Sequence, residues 1–136
     1  WLLKQRPQGH ANPSDFQLTD SEIPTRPLEE HEILVRHVVL LCAPTMRNWM
    51  DPPGNNLYPS IPLGAPVMAP SVGRSVRSGN PNYPPVMRIS TIGSWQDYEI
   101  IDTNQSPFLP IADGLSYADA IGRFGLNSLT AYFGTL

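Results

Sequence analysis

The alternation of apolar and polar positions divides this chain into many short segments. The strongest apolar stretch is Glu32 to Arg47, EILVRHVVLLCAPTMR. Ile33-Leu34-Val35 and Val38 to Cys42 form a nearly continuous β-branched run, the pattern of a buried strand, with a bend expected at Arg36-His37. Pro44 cannot donate to a ladder, so the strand should end near Cys42 or Ala43. Thr45 to Met50 then fits a short helix closed by Asp51-Pro52-Pro53. Weaker strand signals precede it at Trp1 to Lys4 and Asp15 to Leu18. Others follow at Val67-Met68, Val72 to Val76, Val86 to Ile92 and Trp95 to Ile101, with Gly93-Ser94 as a separator and Ser78-Gly79-Asn80-Pro81 as a strong turn. Short strands with turn signals every ten or so residues suggest a barrel or a sandwich.

Near the end of the chain the pattern turns helical. Ser116-Tyr117-Ala118-Asp119 has the form of a capping box and opens a helix expected to stop between Gly122 and Gly125. Asn127-Ser128 supplies an N-cap for a second helix, apolar through Leu129, Ala131, Tyr132, Phe133 and Leu136 and lacking a stop signal. Such a helix is expected to continue or to pack on something else, so the chain is expected to be a piece of a longer protein.

Composition sharpens this picture in two respects. Sixteen of the 136 residues are proline, about twice the usual share, and ten of them fall between Pro44 and Pro85, which excludes long helices there. The net charge of −3 gives no reason to expect nucleic acid or an anionic membrane as partner, and no apolar run is long enough to span a bilayer. Cys42 is the only cysteine, so no disulfide forms within the chain and a reduced, cytoplasmic setting is the expectation; Cys42 itself reads as a buried small hydrophobe. His31 and His37 lack the ligand spacings of a metal site, and no metal is expected. The Asp97/Glu99 pair reads as a solvated strand face.

Five segments, in order, carry a family likeness. Ala43-Pro44-Thr45-Met46-Arg47 is similar to a DPYMR motif, Gly93 to Tyr98 resembles a GWQDY segment, and Leu129 to Gly134 matches LTAYFG. Trp1 to Lys4 and the turn Ser78 to Tyr83 also fit. Together they resemble the zinc-independent medium-chain dehydrogenase/reductases, in the branch of prostaglandin reductases and alkenal double-bond reductases. The likeness covers nearly the whole chain. It departs from the pattern at Ala43 and Thr45, where the family has Asp and Tyr, and at Pro70, near a family tyrosine. Val86-Met87 replaces a Gly-Asp turn, and Gly125 to Ser128 replaces GMPG.

The resemblance implies a mainly β, GroES-like, partly open barrel over residues 1–115. A helical segment over 116–136 then leads into a Rossmann domain that holds NADPH. No G-x-G-x-x-G turn occurs in these residues, so the pyrophosphate cradle belongs elsewhere. The implied function is the substrate-side domain of an NADPH-dependent reductase of enones and enals, homodimeric at full length. The alternative is a GroES-like module that has lost catalysis and acts through protein partners. The resemblance assigns Thr45 and Arg47 to catalysis and Thr130, Asn127 and Met46 to the cofactor. Tyr58 and Tyr83, as loop tyrosines, are candidates for the substrate mouth, with simple packing the commoner role of such residues. For Arg47 the competing reading is a structural arginine pairing with Asp51 or a backbone carbonyl.

Overall fold

The computed structural model describes residues 1–54 and 60–135. It is mainly β. A two-stranded sheet pairs β1 (Leu2–Leu3) with β2 (Phe16–Gln17). The main sheet has five antiparallel strands in the order β6-β3-β4-β5-β7: β3 (Glu32–Leu40), β4 (Met68–Ser78), β5 (Arg88–Ser94), β6 (Tyr98–Asp102) and β7 (Phe108–Pro110). Within the described residues β6 and β7 remain edges, so the barrel is open.

The apolar run of β3 occupies the middle of this sheet. Ile33, Leu34 and Val35 are all buried, so both faces are covered there. The expected bend is present as two register shifts against β4, at Leu34/Val35 and at His37/Val39. Cores lie on two sides. Leu3, Met46, Met50, Ile61, Val67 and Ala69 form one, with Phe16, Trp49 and Trp95 packed on it. Ile33, Val35, Ile89, Ile101 and Phe108 form the other.

Several local expectations are corrected. Met68 and Val72 to Val76 belong to one strand, β4, not two, and Val67 lies just before it. Its Pro70 sits just beyond the last β3 pair, Leu40↔Ser71, and its carbonyl still accepts from the Leu41 amide at 2.9 Å, so the missing N–H disrupts no ladder bond. Gly93-Ser94 end β5 instead of separating two strands, because Gly93 lies under the His37 ring: a Cβ on it would stand 2.4 Å from His37 Cε1. Cys42 is exposed, since β3 leaves the sheet at Leu40.

The helices are α1 (Thr45–Trp49), α2 (Tyr117–Ile121) and α3 (Leu126–Gly134). Ser116 caps α2 as its sequence indicates, accepting from the Asp119 amide at 3.0 Å. The cap of α3 is Gly125, not Asn127; a Cβ at 125 would collide with the Ile121 carbonyl oxygen, and this tight entry starts the helix two residues early. All of α3 stays outside the core, with Leu126, Leu129, Tyr132 and Phe133 more than half exposed.

Candidate functional site

The end of β3 and the α2–α3 segment enclose an apolar cleft of about 880 Å3. Leu41 and Pro70 line one part, Thr91, Ile92 and Leu109 the sheet side, and Ile121, Leu126 and Leu129 the helical side. Four residues after Leu41 the chain enters α1, which carries the polar residues Thr45 and Arg47; neither is among the residues that line the cleft.

Within α1 the three candidates face different surroundings. Thr45 is exposed in the first turn. Met46 is buried in the core, and its Sδ accepts from the Ala43 amide at 3.3 Å, which closes the turn at Pro44. Arg47 spreads its guanidinium over three oxygens: Nη1 to Asp51 at 2.6 Å, Nε to Gly9 O at 2.9 Å, and Nη2 to Pro7 O at 2.9 Å. Both structural partners expected for Arg47, Asp51 and backbone carbonyls, are therefore engaged. The loop it grips is organised around Asp15, which accepts from the Gln5 side chain and the Asn12 amide, each at 2.8 Å. Those bonds, the Gln5 one first, hold the Asp15 carboxyl below its ordinary value.

Asn127 and Thr130 lie on α3, both exposed. Thr130 is past the first turn, and its hydroxyl donates back to Leu126 O at 2.8 Å, so free amide groups at the helix start do not account for it. Tyr83 packs against Phe108, ring centroids 5.2 Å apart, over the Ile33 cluster. Tyr58 lies outside the described residues. The structure thus joins Thr45, Met46 and Arg47 on one short helix and Asn127 and Thr130 on another, and sets Tyr83 in packing.

Sequence reading missed a second constellation. Glu99 is not on a solvated face: its Oε2 accepts from His37 Nε2 at 3.1 Å and from Ser94 Oγ at 2.9 Å. Gln96 Nε2 donates to Ser94 Oγ at 2.6 Å. The His37 side chain is 2% exposed. The signal was the lone histidine inside an apolar strand, which demanded a partner across the sheet. This network floors a second cleft of about 750 Å3, walled by Trp95, Tyr98 and the loop Leu18 to Pro24. Groups of three or more His, Cys, Asp or Glu able to hold a metal are absent among the described residues.

A family described as the N-terminal domain of oxidoreductase matches residues 1–108. The chain is 33% identical over 138 aligned positions to prostaglandin reductase 1 of Oryctolagus cuniculus, covering all of this chain and 37% of that protein. It is 30% identical to the NADPH-dependent curcumin reductase of Escherichia coli (strain K12), again over the whole chain and 38% of that protein. Among solved structures, CurA from Vibrio vulnificus in complex with NADPH superposes on 98% of the chain with a TM-score of 0.80 at 28% identity, covering 38% of that chain. The chain thus spans less than two fifths of the relatives it matches. It belongs to the N-terminal oxidoreductase-domain family of the medium-chain dehydrogenase/reductases, in the GroES-like fold that its five ordered motifs imply.

Proposed function

We propose that this chain is the substrate-side domain of an NADPH-dependent reductase of activated carbon–carbon double bonds, working in the cytoplasm as a homodimer. The observation that carries the reading is the end-to-end likeness of the whole chain to reductases whose names specify NADPH or prostaglandins. The apolar cleft agrees with it, since an enone or enal is an apolar chain carrying one polar oxygen.

The residues present fit one end of the cofactor. No glycine-rich phosphate cradle exists in the chain, so its contacts are confined to the nicotinamide end. Thr130 and Asn127 are exposed and polar on α3 and are assigned to that end. When bound, NADPH supplies the hydride that the β-carbon receives. Thr45 donates a hydrogen bond to the substrate carbonyl. It is too weak an acid to protonate the α-carbon directly, so that proton comes from solvent water. Met46 supports Thr45 from the core, and Arg47 positions the same helix by fixing it to the loop at Pro7 and Gly9. Tyr58 is assigned to the substrate mouth, while Tyr83, packed on Phe108, supports the Ile33 cluster.

The experiment follows NADPH consumption by the full-length protein with a 2-alkenal and with the corresponding saturated aldehyde. Turnover with the alkenal alone supports the proposal; equal turnover with both, or none with either, contradicts it. Thr45→Tyr restores the phenol of the family motif and should raise kcat/KM for the alkenal by about tenfold, since one well-placed donor contributes at least that much.

A further inference from the structure

Three arginines stand side by side across the middle of the main sheet. Arg36 on β3 is the register partner of Arg74 on β4, and Arg74 is the register partner of Arg88 on β5. Register partners share a face, so the three side chains leave the sheet on the same side, spanning about 10 Å at ordinary strand spacing. Tyr98 on β6 extends the row, with the Arg36 guanidinium 6.0 Å from its ring. At the other end Arg88 donates to Leu115 O and lies 4.5 Å from the Tyr117 ring.

Like charges directly opposite one another in a sheet destabilise it. Here no carboxylate among the described residues offsets them. The ion pairs among the described residues are Arg26–Glu32, His31–Asp102, His37–Glu99 and Arg47–Asp51, and none includes the row. Arg36 and Arg74 are exposed, and Arg74 makes no hydrogen bond, ion pair or ring contact among the described residues. A chain of net charge −3 therefore places three guanidiniums without a carboxylate partner in one line, with Arg74 free and Arg36 and Arg88 resting on aromatic rings.

We infer that the Arg36–Arg74–Arg88 row is a docking surface for an extended acidic segment of a partner protein. Arg36 and Arg74 are exposed, and none of the three arginines lines either cleft, so a small anion on them would stay largely hydrated. An extended segment places alternate side chains about 7 Å apart, so carboxylates at two alternate positions reach across the three guanidiniums.

The test uses the full-length protein and a fluorescent peptide alternating Glu and Ser, with Gln replacing Glu in the control. The double variant Arg36→Ser/Arg74→Ser removes two charges that hold no hydrogen bond, and its melting temperature reports that the fold is kept. Anisotropy should show binding of the Glu peptide alone, weakening from about 0.05 to 0.2 M salt, and at least tenfold weaker in the double variant. Equal binding by the double variant, or by the Gln peptide, overturns the inference. Displacement of the peptide by equimolar pyrophosphate overturns it in favour of a small anion. Self-association that the double variant abolishes overturns it in favour of a second copy.

Discussion

Val86 lies in the left-handed region, with φ of 71°. It follows Pro84-Pro85, and the Met87 amide donates to Pro84 O at 3.3 Å, the bond that closes a four-residue turn. Pro85 fixes a negative φ at the first central position, so a positive φ at the second makes this a type II turn, whose second central position favours glycine. A β-branched residue there costs about 1–3 kcal/mol. Val86→Gly removes that cost. It adds about 0.4–1 kcal/mol of unfolded-chain entropy to be lost on folding. The side chain is 71% exposed, so its removal forfeits roughly 0.5 kcal/mol of burial. The net expectation is a stabilisation of about 1 kcal/mol, or a rise in melting temperature of roughly 3–5 °C for a domain of this size. Urea unfolding checks it: the midpoint should rise with the slope unchanged. Val86→Asn, tolerant of the left-handed region, should fall between the two. A midpoint that drops in Val86→Gly would refute the argument that strain resides in this turn. It would also remove the physical account of why the family motif carries Gly-Asp where this chain has Val86-Met87.

Arg47→Ala should cost about 1–2 kcal/mol, because it leaves the Pro7 carbonyl without its donor and frees the N-terminal loop from α1; proteolysis within residues 5–13 should accelerate, and an unchanged cleavage rate would argue against the bracing role. Gly93→Ala should destabilise by about 2–3 kcal/mol, since its methyl displaces the His37 ring from Glu99, and a crystal structure with that pair intact would contradict this. The Arg26 guanidinium first, and then the Glu29 amide, pull the Glu32 carboxyl from 4.5 down to about 2. A depressed carboxylate stabilises the fold above its unfolded value, so this contribution should be complete above pH 4.5 and fade as pH falls toward 2. Unfolding midpoints of wild type and Glu32→Gln should therefore converge in that window, and a gap that persists to its acid end would contradict the linkage.

Much of the β architecture was legible because it rests on local signals. The run Ile33 to Leu40 announced the central strand and Ser116 the α2 cap, although the strand stops at Leu40, short of the Cys42 or Ala43 that Pro44 suggested. What failed depended on contacts distant in sequence. Nothing local to Gly93 indicates that His37, 56 positions away, lies over it, so a glycine that permits close approach was taken for a break. Val67-Met68 and Val72 to Val76 looked like two strands because only the register shows that Pro70 lies just past the pairing to β3. Asn127-Ser128 offered better capping chemistry than Gly125, yet the approach to Ile121 O decided the helix start. For the candidate site, the motif located the polar residues at a strand end, but Arg47's three oxygen partners come from the N-terminal loop and from one turn further along, which spacing alone left undecided. The arginine row is invisible in sequence, because Arg36, Arg74 and Arg88 meet only through strand register.

The central claim is tested most directly by following the label from deuterated NADPH into the product. The full-length protein, given a 2-alkenal and the labelled cofactor, should yield the saturated aldehyde with one deuterium at the β-carbon, read by mass spectrometry and NMR. An allylic alcohol labelled at the carbonyl carbon, or unconverted alkenal in the presence of folded protein, would contradict the assignment of this domain to double-bond reduction.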